Sequence, residues 1–159
     1  MDSIKLKDDM QIVVFSLDEP RYALDLSTVE RVVRAVEITP LPKAPEIVLG
    51  VINMQGQVVP VVDVRKRFRL PGREINIDDR FIISRTSRRL VALVADDVVG
   101  VKRLGNREIV SAEQALPFAE YIKGVAKVED DLVLIYDLDR FLSLDEEEKL
   151  DEALSGGAI

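Results

Sequence analysis

Apolar and polar positions alternate along most of the chain in short blocks, each closed by a turn signal. Gln11 to Leu17 and Arg21 to Leu26 flank the polar turn Asp18-Glu19-Pro20 and predict an opening hairpin. Ser27-Thr28-Val29-Glu30 has the spacing of a capping box and predicts a helical turn starting there, before Val32 and Val33 return to extended backbone. Thr39 to Pro45 holds three prolines in seven residues, too many for a hydrogen-bonded central strand, and predicts an ordered surface loop or a linker. Leu49 to Met54 and Gln57 to Val62 flank Gln55-Gly56, a second tight hairpin in which Gly56 supplies positive φ. Asp63 is placed to cap a short helix, Val64 to Phe68, with Arg65, Lys66 and Arg67 expected to face solvent.

Leu70-Pro71-Gly72-Arg73 is the clearest boundary in the middle of the chain. Beyond it, Arg80 to Arg85, Leu90 to Ala95, Val98 to Arg103, Ile122 to Val128 and Leu132 to Tyr136 read as strands. Ser143-Leu144-Asp145-Glu146 is another capping box and opens a final helix to about Leu154, closed by Ser155-Gly156-Gly157. The acidic run Asp145 to Glu148 suits the first turn of that helix, and Asp145 is spaced to pair with Lys149.

The two halves resemble each other. Slid by 69 positions, Gln11–Arg34 falls on Arg80–Arg103 without a gap, placing Ala23-Leu24 on Ala92-Leu93, Val29 on Val98, Val32 on Val101 and Arg34 on Arg103. At an offset of 74, Gly50 to Val64 falls on Gly124 to Leu138, with Val59 on Val133. The pattern predicts an all-β chain of two duplicated β-barrel subdomains, each of about five strands, with short helices and a C-terminal helix. Subdomain 1 is expected over about 18–72, subdomain 2 over about 73–143 plus the N-terminal strand, and the helix over about 144–154. Closing each small sheet would remove exposed edges.

Composition narrows the chemistry. Val (22) and Ile (13) exceed a fifth of the 159 residues, which favours strands. No Cys and no His are present, so disulfides, thiolate nucleophiles, imidazole bases and Cys- or His-ligated metals are excluded. The net charge of −7 opposes non-specific binding to nucleic acid or anionic lipid. No apolar run approaches the roughly 18–20 residues of a membrane span, and the first residues have no signal-peptide core, so the expected location is the cytoplasm.

The carboxylate pairs Asp78-Asp79, Asp96-Asp97 and Asp130-Asp131 flank predicted strands and are read as turn and cap residues rather than acid/base dyads. Asp63 and Asp137, at equivalent repeat positions, are read as helix caps, and no EF-hand spacing surrounds Asp137 and Asp139. The glycines form no phosphate-binding loop and there is no nucleophile elbow. No catalytic residue, metal or cofactor is predicted. The basic clusters Arg65-Lys66-Arg67 with Arg69 and Arg73, and Arg85 with Arg88 and Arg89, lack interleaved aromatics for base stacking and are read as a solvated face or a contact rim. A small-barrel nucleic-acid-binding module remains an alternative, with a carboxylate-only enzyme behind it.

Gly50-Val51-Ile52-Asn53-Met54-Gln55-Gly56-Gln57-Val58-Val59-Pro60-Val61-Val62-Asp63-Val64-Arg65-Lys66-Arg67-Phe68 resembles the signature hairpin and helix of the CheW family, coupling proteins of bacterial and archaeal chemotaxis. Gln11–Leu26 resembles its opening hairpin, Leu93-Val94-Ala95-Asp96-Asp97-Val98 its characteristic strand, and Tyr121-Ile122-Lys123-Gly124-Val125 to Asp137-Leu138 its closing hairpin. The similarity spans roughly residues 10–145, within one CheW-like domain over 1–155. It implies two SH3-like five-stranded barrels and a non-enzymatic adaptor that is a monomer when isolated. The implied partners are the cytoplasmic tip of chemoreceptors and the regulatory domain of the histidine kinase CheA, with no nucleic acid and no membrane insertion.

The resemblance places receptor contacts in a groove between the barrels, at Val29, Ile82, Val98 and Val101, and kinase contacts near Arg31, the Gly50 turn and the Gly124 turn. Gln55 is a departure, because the family usually has Arg there in an Asn-x-Arg-Gly turn. An uncharged amide forgoes a charge-assisted contact worth about 1.5–3 kcal/mol, so Gln55 is expected to bear on receptor choice. A related adaptor role in surface motility or development is the other reading within the family.

Overall fold

Most strands form where the alternation predicts them, because each buries one side-chain row and pairs its backbone with a neighbour; it predicts neither the strand at Ile109–Val110 nor the first residues of the strand Val29–Arg34. In the computed structural model, which describes residues 10–105, 109–110 and 121–156, these are β1 (Met10–Ser16), β2 (Arg21–Asp25), β3 (Val29–Arg34), β4 (Val48–Met54), β5 (Gln57–Val62), β6 (Arg80–Arg85), β7 (Leu90–Ala95), β8 (Asp97–Leu104), β9 (Ile109–Val110), β10 (Ile122–Val128) and β11 (Asp131–Tyr136). Among the described residues two α-helices complete it, α1 (Val64–Arg67) and α2 (Leu144–Gly156), with 3₁₀ turns at Leu26–Thr28 and Leu138–Arg140.

The strands assemble into two sheets, β8-β1-β2-β11-β10-β9 and β3-β6-β7-β5-β4. Apart from the two-residue β9, each has five strands. The repeat offsets make β1, β2 and β3 equivalent to β6, β7 and β8, and β4 and β5 equivalent to β10 and β11. Both sheets then have the same internal order, 3-1-2-5-4, including a parallel pairing of β2 with β11 and of β7 with β5. Each sheet takes its first hairpin from one repeat and its other three strands from the other. The expected division near residue 72 therefore falls between strands of one sheet, since β6 and β7 pair with β3 and β5.

Side-chain alternation distributes the core. Ile12, Val14, Ala23, Val133 and Ile135 fill one sheet's interior, and Phe81, Ile83, Val59, Val61 and Ala92 fill the other's. The intervening residues Phe15, Tyr22, Leu24, Ile82, Val91, Leu93 and Tyr136 point into a third core shared by the two sheets. β7 is consequently buried at every position, which explains its unbroken Leu-Val-Ala-Leu-Val-Ala run. Phe68 stacks on Tyr136 in this core with ring centroids 4.5 Å apart.

The capping predictions divide. Ser143 and Glu146 form the box reciprocally, the Ser143 N–H donating to Glu146 Oε1 (2.8 Å) and the Glu146 N–H to Ser143 Oγ (3.1 Å). Asp63 Oδ1 accepts from the Lys66 N–H at 3.3 Å, as expected. Ser27 does not cap. Asp25 takes that place by accepting from the Ser27 N–H at 3.0 Å, and Val29 and Glu30 are already in β3. Asp137 precedes the second 3₁₀ turn but makes no side-chain cap bond, and its carboxylate sits 3.4 Å from Arg140 instead. Helix α2 runs two residues beyond its expected end, and Gly157 lies outside the described residues.

Candidate functional site

Two edge strands, β3 and β8, border the shared core, one from each sheet. Residues three apart on a regular strand face opposite ways. A register shift against β6, between Val29 and Arg31, inserts one extra residue and returns Val29 and Val32 to one face. The same shift against β1 occurs at the equivalent place in β8, between Val98 and Gly100. Val29, Val32 and Arg34 thus pair with Ser84, Ile82 and Arg80, and Val98, Val101 and Arg103 with Phe15, Val13 and Gln11, all on faces turned to the shared core.

Val29 and Val98 pack half-buried against that core, while Val32 and Val101 are 39% and 52% exposed. Each edge strand thus presents a half-buried valine and an exposed one beside the shared core, and these two valine pairs form the apolar seam. Ile82, the cross-strand partner of Val32 on β6, is completely buried (0%), so of this pair Val32 alone offers accessible surface.

Arg31 faces the other way, toward the mouth of the β3–β7 sheet. There it shares a depression of about 310 Å³ with Gln55, Met54, Gln57, Ile83 and Arg85. The structure therefore brings Arg31 and Gln55 together, although the resemblance assigns them to different partners, and separates both from the seam. Gln55 adopts φ 56° and Gly56 φ 87° at the hairpin tip, with the Gly56 N–H donating to Asn53 Oδ1 at 2.8 Å.

Gly50 and Gly124 are buried, each at a register shift in its strand. At Gly50, with φ 152°, a Cβ would lie 2.3 Å from the Thr39 carbonyl oxygen. That oxygen accepts from the Val51 N–H (2.8 Å) and the Thr39 N–H donates back to Val51 (2.9 Å), so the proline-rich segment is tied across β4.

The basic clusters are only partly a solvated face: Lys66, Arg69, Arg73, Arg85 and Arg88 are exposed, and Arg65 is buried. Arg65 donates to both oxygens of Asp18 (2.8 Å each), both oxygens of Asp96 (2.9 and 2.8 Å) and the Pro71 carbonyl. Arg73 bridges Asp79 and Asp96. Arg67 pairs with Glu146 and lies over the Tyr121 and Phe141 rings, and Arg89 pairs with buried Glu147 and with Asp151. Only Lys66 of the Arg65-Lys66-Arg67 run is exposed. Carboxylates distant in sequence neutralise these arginines, and a row of residues cannot display that.

Asp18 and Asp96 are held in the ionised form by their arginine partners. Hydrogen bonds from Arg65 hold Asp18 below the ordinary range of 3.8. At Asp96 burial pushes upward but is outweighed by the Asp18 N–H, Arg65 and Arg73, and the net direction is down. Among the described residues no group of three or more acidic side chains is arranged for a metal. No described helix is long and apolar enough to cross a membrane. A second apolar surface is not evident from the sequence: Val36, Ile38, Ile75 and Ile77 line a hollow of about 320 Å³.

Residues 11–146 match the family model for the CheW-like domain. The chain is similar to chemotaxis protein CheW of Thermotoga maritima, with 29% identity over 134 residues, covering 84% of this chain and 88% of that protein. Chemotaxis protein CheW of Bacillus subtilis is also 29% identical over 140 residues, covering 87% and 90%. The crystal structure of the scaffolding protein TtCheW from Thermoanaerobacter tengcongensis superposes with a TM-score of 0.80 at 32% identity, covering 87% of this chain and 95% of that one.

Proposed function

The chain belongs to the CheW-like domain family, and from that premise we propose that it is a non-catalytic cytoplasmic adaptor coupling the tip of a chemoreceptor to the regulatory domain of a CheA-type histidine kinase. The observation that carries this reading is the duplicated apolar seam, with half-buried Val29 and Val98 beside exposed Val32 and Val101. An aliphatic seam suits the apolar face of a helical hairpin, the chemistry of a receptor tip. Each anchor contributes about 1.5–3 kcal/mol. A few anchors, less the cost of association, give about micromolar affinity.

The kinase reads the barrel ends. Arg31 is exposed there, whereas Gly50 and Gly124 are buried and act by shaping the backbone of β4 and β10. Gln55 tunes partner choice from the same depression as Arg31. Changing Gln55→Arg is expected to alter affinity for the cognate receptor; unchanged affinity would remove the position from partner choice.

Calorimetric titration against the regulatory domain of each CheA-type kinase of the source organism tests the reading. Micromolar binding to one of them, weakened about tenfold by Arg31→Glu in a folded variant, is expected and identifies the pathway, chemotaxis or motility. A folded protein that binds none of them would overturn it.

A further inference from the structure

Resting on the reading of the seam as the receptor contact, we infer that this chain's seam is cationic at both ends and selects a helical partner carrying a carboxylate beside each end of its apolar ridge. The groups responsible are Arg34 and Arg103. They are equivalent in the internal repeat, each follows its exposed valine by two residues, and each stands on the face turned to the shared core. Both are exposed, and neither forms an ion pair with a described residue.

Eight of the thirteen described arginines have a carboxylate partner, in a chain where acidic residues outnumber basic ones by 29 to 22, and Arg34 and Arg103 are among the five that have none with a described residue. The groups opposite Arg34 and Arg103 offer them no negative charge. Arg80 faces Arg34 and is folded onto the carbonyls of Asp78 and Asp79, while the neutral Gln11 faces Arg103. Two guanidinium groups without an ion-pair partner among the described residues, one from each copy of the repeat and each beside exposed valine, are complementary to a ridge that brings one carboxylate to each side. An antiparallel helix pair does this naturally, with one acidic residue from each helix. Desolvation of the strip on docking strengthens both pairs, and Arg suits the planar carboxylate.

The test is calorimetric titration with the cytoplasmic hairpin fragment of a chemoreceptor from the source organism, at low and high salt. Arg34→Gln and Arg103→Gln are each expected to weaken binding about five- to tenfold at low salt, and the double variant more than either. The double variant should also lose most of the salt dependence, while Arg34→Lys and Arg103→Lys retain it. Titration with the kinase regulatory domain should be unchanged in all of them, which excludes general unfolding. Wild-type affinity in the double variant at both salt concentrations would overturn the inference alone, provided Val32→Asp and Val101→Asp still abolish binding. If the valine variants also bind normally, or the wild type does not bind, the seam reading fails and this inference fails with it.

Discussion

Gly50 and Gln55 show how single residues set the geometry of the signature hairpin. Gly50 is required twice over, by a φ of 152° and by the Thr39 carbonyl where its Cβ would stand. Gly50→Ala is expected to break the Thr39–Val51 bridge and lower stability by about 2–3 kcal/mol, read as a shifted denaturant midpoint. At Gln55 the constraint lies in the backbone, which is left-handed with φ 56°. Asn tolerates that conformation better and Asn-Gly suits a turn with positive φ at both central positions. Gln55→Asn should therefore raise stability by about 0.5 kcal/mol in the same assay. Tyr136 is a third case, a buried hydroxyl without a partner among the described residues. Tyr136→Phe should be neutral or slightly stabilising, and a loss above about 1 kcal/mol would reveal a missed hydrogen bond.

At the scale of elements, one four-residue helix ties distant parts of the chain together. From α1, Arg65 reaches the β1–β2 turn at Asp18 and the β7–β8 junction at Asp96, while Arg67 reaches α2 at Glu146. Arg65→Met leaves Asp18 without a cationic partner and Asp96 with Arg73 alone. The expected cost is about 2 kcal/mol, below the 3–5 kcal/mol of a fully buried pair because Asp18 and Asp96 keep some contact with water. The same network sets acid stability. Asp18 and Asp96 have folded pKa values below the unfolded value of 3.8, so their contribution is present above that pH and is lost as pH falls through the folded values. Thermal melts from pH 5 down to pH 2 should show a falling midpoint, and the fall should be smaller in Arg65→Met.

For the whole molecule, the exchanged hairpins make each sheet depend on both halves. A cut in the 72–73 linker leaves β1 and β2 without β8, β10 and β11, and β6 and β7 without β3, β4 and β5. Fragments 10–72 and 73–156, expressed separately, should lack cooperative unfolding, and mixing them should restore strand circular dichroism and a single transition. Two fragments that each melt cooperatively would contradict this dependence. The shared core, with Phe15, Tyr22, Phe68 and Tyr136, forms only when both halves are present.

Much of this was legible in the sequence, because a strand's period of two, a cap's spacing of three and a hairpin's glycine are local properties. Most strands, the Gln55-Gly56 turn and the Ser143 box follow from neighbours a few residues apart, and the duplicated Val29/Val98 and Val32/Val101 positions from the sequence repeat; the start of β3 at Val29 does not, because Asp25 rather than Ser27 caps the turn before it. Only the tertiary structure decided the rest. Which hairpin enters which sheet depends on the parallel pairings of β2 with β11 and β5 with β7, between strands far apart in the chain. Arg65 and Arg67 look like solvent-facing residues of a short helix, and their burial depends on Asp18, Asp96 and Glu146 arriving from elsewhere. Alternation tells a side chain which face it occupies; what that face meets is set by long-range pairing, and so the seam and its two arginines appear only once both edge strands border the shared core.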